Sequence, residues 1–217
     1  MADSGPFRDR AQAGAQLAED VSHLAGRDDL VVLALPRGGV PVGAAVAAAL
    51  GAPLDVFLVR KLGVPGHEEL AMGAIASGGT MLVNRDVVDA LQVPEEMIAA
   101  VAERERAELA RREALYRDGR PIPDLAGKTV VLVDDGLATG ASMLVAIAAL
   151  RELGPRRIVV AVPVAAPETC NLVGRAADAI VCSRTPEDFE GVGKWYEDFT
   201  QVSDEEVTAL LAAAARA

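Results

Sequence analysis

The sequence predicts an α/β fold, a central parallel sheet flanked by helices with a small hood subdomain, and three observations carry that expectation. Short apolar segments alternate with helical ones along the chain. Those segments are continuously apolar rather than alternating, the pattern of strands covered on both faces. The chain has 217 residues of which 51% are apolar, enough to bury one substantial core, so a single domain over 1–217 is expected.

The strand candidates in order are 30–35 (LVVLAL), 54–60 (LDVFLVR), 129–134 (TVVLVD), 157–162 (RIVVAV) and 179–182 (AIVC). Helices fit between them at 40–50, 95–118, 140–153 and 167–175, which gives right-handed βαβ crossovers. The alternation breaks at 61–79 (KLGVPGHEELAMGAIASGG), where Gly63, Pro65, Gly66, Gly73, Gly78 and Gly79 mark a loop or hairpin, followed by a short strand at 80–84. Pro94 then opens a long charged helix, with Glu95 and Glu96 favourable at its positive end. Its 103–112 run (ERERAELARR) reads as a solvated face laced with i,i+4 pairs. The alanine-rich tail 209–217 reads as a fraying helix end. The hood is expected from 183–210, with the N-terminal segment as a second contributor.

The net charge of −11 argues against duplex nucleic acid as a partner, since that binding needs a basic patch. No apolar run reaches the ~20 residues that span a bilayer. Residues 1–10 are polar, with Asp3, Arg8 and Asp9, unlike a secretory signal. A cytoplasmic protein is therefore expected, with Cys170 and Cys182 as two reduced core thiols. Zinc is excluded because only His23 and His67 accompany those thiols. An anionic ligand would need cations gathered locally against the global field.

Residues 130–142 read VVLVDDGLATGAS. An apolar strand ends in two carboxylates, and a loop of small residues then opens a helix. Such a loop lets backbone amides approach an anion, and the helix N-terminus adds free N–H donors. Thr139 and Ser142 can add hydroxyls. Asp134 and Asp135 would repel a phosphate, so their natural partners are sugar hydroxyls or a hydrated Mg²⁺. Two other readings of strand–DD–loop stand beside this one. One is a phosphoacceptor receiver domain, which places its acid pair after the first strand and needs a further Asp and Lys that are not evident here. The other is a plain acid-capped turn.

The segment resembles the signature of type I phosphoribosyltransferases that bind 5-phosphoribosyl-1-diphosphate (PRPP). The resemblance implies that Asp134 and Asp135 hold the ribose hydroxyls and, through water, Mg²⁺. It implies further that Ala138, Thr139, Gly140, Ala141 and Ser142 bind the 5-phosphate. A second match falls after the first strand. Pro36-Arg37-Gly38-Gly39 resembles the family's diphosphate loop, in which Gly38 and Gly39 present N–H groups and Arg37 supplies a planar cation. That loop often holds a cis peptide, which here would be Pro36–Arg37. The second strand ends in Arg60-Lys61, similar to members whose Arg-Lys pair precedes a mobile catalytic loop. Lys61 is the candidate for neutralising departing diphosphate, with Arg60 in support. His67, Glu68 and Glu69 lie where that loop would close, and the role of His67 stays open between ligand contact and solvated loop residue.

Residues 183–202 (SRTPEDFEGVGKWYEDFTQV) crowd Phe189, Trp195, Tyr196 and Phe199 into a chain with 3% aromatics. Flat rings suit stacking on a heterocycle, which makes Phe189, Trp195 and Tyr196 acceptor candidates; packing of the C-terminal segment on the core is the equal alternative. Ala138 stands where members acting on 6-oxopurines carry Asp, which leaves the acceptor open. The segments LPRGGVPVG, VRKLG and WYEDFTQV together look most similar to a bacterial group of phosphoribosyltransferases whose acceptor is not settled. The resemblance implies a Mg²⁺-dependent enzyme moving the phosphoribosyl group from PRPP to a base, or a non-catalytic PRPP or nucleotide sensor on the same fold. The expected partners are PRPP and a heterocyclic base or nucleotide, with no nucleic acid and no membrane, and a homodimer is left open.

Overall fold

Helix α1 (Arg10–Asp20) leads to β1 (Leu30–Ala34), and α2 (Gly39–Leu50) to β2 (Leu54–Val56). Three strands then follow in series, β3 (Val59–Val64), β4 (His67–Ala76) and β5 (Met81–Val83). Helices α3 (Arg85–Leu91) and α4 (Glu95–Arg117) precede β6 (Thr129–Val133). The chain continues through α5 (Ala141–Glu152), β7 (Arg157–Val164), α6 (Pro167–Ala176), β8 (Ala179–Arg184) and α7 (Asp204–Ala214). These elements come from a computed structural model that describes residues 5–216. Residues 1–4, part of the segment weighed above as a signal, and Ala217 of the tail lie outside that range.

Five strands form a parallel sheet in the order β2-β1-β6-β7-β8, and β3-β4-β5 form a separate antiparallel sheet. All five residues of β1 and of β6 are buried, as continuous apolarity requires of a strand with helices on both faces. On one face Val42, Val46 and Leu50 of α2 pack with Leu17 of α1; on the other Met143, Ile147 and Leu150 of α5 pack with Val173 of α6. A third core joins α4 and α7 to β3 and β4 through Ile98, Leu109, Tyr116, Val207 and Leu211. Leu211 is buried within the tail expected to fray.

The strand expected over 54–60 divides. Phe57 donates its N–H to the Ala34 carbonyl, but Leu58 donates to Ser77 Oγ and accepts from the Ser77 N–H. The apolar run therefore crosses from the edge of the parallel sheet into the antiparallel one. The glycine-rich stretch forms the hairpin β3–β4, turned at Gly66 with φ +82°. At Gly63 a Cβ would lie 2.6 Å from the Glu68 carbonyl oxygen, so the two strands could not close there around a side chain.

Two expectations are corrected. Cys170 and Cys182 are not free thiols but a disulfide, because α6 folds back against β8 and brings the two side chains together. The 103–112 run is not wholly a solvated face. Arg111 and Arg112 do pair with Glu108, but Glu105 is buried and takes the guanidinium of Arg60 at 2.6 Å.

Candidate active site

From β1 the chain steps through α2 to β2, while from β6 it steps the opposite way through α5 to β7. Neighbouring parallel strands whose connections diverge leave a crevice at their carboxyl ends, where open α/β sheets bind ligands. Both glycine-containing motifs fall there. A Cβ on Gly38 would sit 2.0 Å from Asp135 Oδ2, and one on Gly39 2.8 Å from the Val133 carbonyl. The 36–39 loop thus lies directly against the acid pair, which only glycine permits at this distance. The Pro36–Arg37 peptide is cis.

Gly140 precedes α5 with φ +71°, a left-handed conformation that glycine adopts at little cost. Thr139 Oγ1 accepts from the Ala141 N–H at 3.4 Å, and Thr169 of α6 donates its hydroxyl to the Ala138 carbonyl at 2.6 Å. Ala138, Thr139 and Ser142 are exposed on the outer surface of this loop. Donors at the amino end of a 12-residue helix, in a loop of small residues, suit a phosphate.

The two carboxylates differ in company. Asp134 Oδ1 accepts the Asp135 N–H at 2.9 Å. Burial, with the Asp135 charge beside it, pushes Asp134 well above the ordinary carboxylate range. Burial also raises Asp135, against the opposing charge and hydrogen bond of Arg10. Arg10, which the sequence did not single out, is the cation that pairs with Asp135. Asp9 caps α1 by accepting the Gln12 N–H at 2.8 Å, and this places Arg10 at the first position of the helix. Its Nε reaches Asp135 Oδ2 at 2.8 Å, its Nη1 the Thr200 carbonyl at 2.8 Å, and its guanidinium lies 4.0 Å from the Phe199 ring centroid.

Two of the predicted cations, Arg37 and Arg60, stand around the same crevice with carboxylate partners of their own. Arg37 Nη1 is 3.7 Å from Asp204 Oδ1, and Tyr116 of α4 donates its hydroxyl to that oxygen at 2.5 Å. Burial and the Asp204 hydrogen bond push the Tyr116 phenol up to about 12, so it stays a donor. Arg60 makes two hydrogen bonds to Glu105 Oε2, at 2.9 and 2.6 Å. Lys61, one residue on, is exposed on the other face of β3. Pro36, Arg60, Asp134 and Ser142 line one cleft of about 120 Å³, and Arg112 of α4 lines it too.

The aromatic residues come together, but against the protein. Phe189, Trp195 and Tyr196 pack with Phe7, Val164 and Val192. Phe7 donates its N–H to the Trp195 carbonyl, so the two ends of the chain meet over the ends of β6 and β7. Tyr196 is buried, and its hydroxyl donates to the Asp135 carbonyl at 2.7 Å. Its ring is therefore committed to holding the acid loop, whereas Phe189 and Trp195 stay half-buried. His67, Glu68 and Glu69 are exposed at the tip of the hairpin. Among the described residues no cluster of three or more His, Cys, Asp or Glu side chains is arranged to hold a metal, and no helix is long and apolar enough to cross a membrane.

Comparison with known proteins gives concordant results. The sequence pattern of the phosphoribosyl transferase domain family matches residues 7–192. A Mycobacterium tuberculosis (strain H37Rv) protein named "Putative phosphoribosyl transferase" is 45% identical over 205 residues, 94% of this chain and 46% of that one. The chain thus spans about half the length of that relative. The crystal structure of TT1426 from Thermus thermophilus superposes with a TM-score of 0.83 at 45% identity, covering 96% of this chain and 98% of that one.

Proposed function

On the ground that this chain belongs to the phosphoribosyltransferase family, we propose that it moves the 5-phosphoribosyl group of PRPP to a nitrogenous base and releases diphosphate, with Mg²⁺ as cofactor. The observation that carries this reading is the contact between the two motifs. The 36–39 loop lies against Asp135 with no room for a Cβ on Gly38, so groups suited to diphosphate and groups suited to sugar hydroxyls border one crevice.

In this reading the 138–142 loop takes the 5-phosphate on its N–H groups and on the hydroxyls of Thr139 and Ser142. Asp134 and Asp135 accept from the ribose 2′- and 3′-hydroxyls. The C1–oxygen bond breaks with its electron pair leaving on diphosphate, and a nitrogen lone pair of the base forms the new bond at C1. Arg37, Lys61 and Arg60, with the N–H groups of Gly38 and Gly39, receive the departing negative charge. Asp134 and Asp135 would hold a hydrated Mg²⁺, which would offset charge on the diphosphate. The acid pair fits that role because two adjacent carboxylates supply hard oxygen ligands without a closed protein cage. Residues 183–210, with the N-terminal segment, act as the hood, and Phe189 and Trp195 are the rings left to meet an acceptor. The β3–β4 ribbon carries Lys61 and closes on the loaded site to exclude water.

The test is diphosphate release on incubation with PRPP, Mg²⁺ and a panel of purine and pyrimidine bases. Base-dependent release is the expected result. PRPP binding with no release across the panel would favour a regulatory nucleotide-binding protein, and release without any base would indicate hydrolysis.

A further inference from the structure

We propose that Arg112 of α4 is a further binding residue of this site, one that grips the diphosphate end of the phosphoribosyl donor. The inference rests on the PRPP reading above and adds to it a helix outside both motifs. Glu105, Arg112 and Tyr116 are spaced seven and four residues apart, which puts them on one face of α4. Arg112 lines the cleft itself, and the other two hold residues around it. Glu105 holds Arg60, Tyr116 holds Asp204 and through it Arg37, and Arg112 lines the cleft with Pro36, Arg60, Asp134 and Ser142.

Arg112 is the cation that α4 itself adds to the cleft. Arg37 is matched by Asp204, while Glu105 serves both Arg60 and Arg104. Arg112 shares its partner, since Glu108 accepts from Arg111 at 2.7 and 2.9 Å and from Arg112 at 2.7 Å. One carboxylate between two guanidiniums leaves a surplus positive charge. The Arg112 end of that trio opens on the cleft, on the side of Pro36 and Arg60. A planar guanidinium there can present two N–H groups to phosphate oxygens. The acidic chain, at −11 overall, thus has a cation only partly balanced by its carboxylate where a polyanion must enter.

Titration calorimetry of the full chain with magnesium pyrophosphate, PRPP and ribose 5-phosphate tests the assignment in four proteins: wild type, Arg112→Ala, Arg112→Lys and Arg111→Ala. Arg112→Ala should weaken pyrophosphate and PRPP binding about 10- to 100-fold, the loss expected for a charge-assisted contact. It should leave ribose 5-phosphate unchanged. Arg112→Lys, which keeps the charge and most of the stem, should recover part of the loss and guards against a folding defect in the alanine variant. Arg111→Ala removes the same formal charge from the same partner, but Arg111 does not line the cleft, so it should lose much less affinity than Arg112→Ala. Wild-type pyrophosphate affinity in Arg112→Ala would overturn the proposal while the PRPP reading stands. An equal loss in Arg111→Ala would do the same, because it would mark a long-range field effect only. Failure of the wild type to bind either pyrophosphate or PRPP would overturn the PRPP reading, and this inference with it.

Discussion

The parallel sheet and the antiparallel sheet beside it differ in how completely they are covered. In β1 and β6 every residue is buried, whereas β4 begins with four exposed residues, from His67 to Leu70. A strand with helices on both faces opens only with the whole core, so loops at its end keep their position. A ribbon tip with solvent around it opens at low cost. The donors and carboxylates proposed to hold the ligand are at the ends of β1 and β6. Lys61, whose proposed task arises as charge develops, stands on the ribbon. The proposed binding and the proposed closure thereby fall to parts of different stiffness.

The largest effect should come from disturbing the stiff part. Gly38→Ala would put a methyl group 2.0 Å from Asp135 Oδ2, so either the loop or the carboxylate must move by about an ångström or more. Displacement on that scale costs about 100-fold in a preorganised site, and PRPP binding by calorimetry should fall by at least that factor. Lys61→Ala should divide the two functions the other way. Loss of one group that meets developing charge costs about 100-fold in kcat, with PRPP affinity within about 3-fold of wild type because the cradle is untouched. A matching loss of affinity would mean that Lys61 belongs to the resting site, and the contrast between the sheets would fail.

How much of this could be read from residues in order depends on how far apart the interacting groups are. Strand identity and the two loops were legible because double-sided burial demands continuous apolar residues and because each loop is a local sequence. The boundary at Phe57–Leu58 was not, since the residues stay apolar while the hydrogen-bond partner changes from Ala34 to Ser77. The Arg10–Asp135 pair spans 125 residues, and a lone arginine in a polar segment carries no sign of its partner. Glu105 looks like its charged neighbours on α4, and only the packing of that helix on β3 shows that it is buried. The Cys170–Cys182 pairing likewise follows from the return of α6 on β8. The aromatic residues of 183–202 were legible as a cluster, but their contacts with Phe7 and Val164 needed the fold.

Arg10→Ala tests the cover on the stiff side. It would leave the largely buried Asp135 carboxylate without its cation and free Phe199 from its stacking partner, at about 2 kcal/mol of stability, read as a lower thermal midpoint. The pH dependence of folding sharpens the same point. Asp134 is held above its ordinary value by burial and by Asp135. The folded chain therefore keeps a proton over a range in which the unfolded chain has lost it. Stability contributed there falls as pH rises from the ordinary carboxylate range through the folded value, and is regained on acidification. Asp134→Asn removes that proton uptake. The variant should gain stability relative to wild type above the ordinary carboxylate range, lose the gain as pH falls back into that range, and bind PRPP poorly throughout. Equal stabilities across the range would show that the carboxyl is not held up by the fold.

The smallest expected effect is at the ribbon tip. Leu70 is 43% exposed and its truncation removes little buried surface, so Leu70→Ala should alter stability by no more than about 0.5 kcal/mol. Leu132, in the middle of β6, is fully buried with the side chains of α5, and Leu132→Ala should cost about 2–5 kcal/mol through the cavity it leaves. Native-state amide exchange reads the same contrast without mutation: the Leu132 N–H should exchange only on global unfolding, and the His67–Leu70 amides through local opening. If the tip amides were protected as well as those of β6, the ribbon would be as rigid as the sheet. Lys61 would then have to act from a fixed position, with closure assigned to some other element.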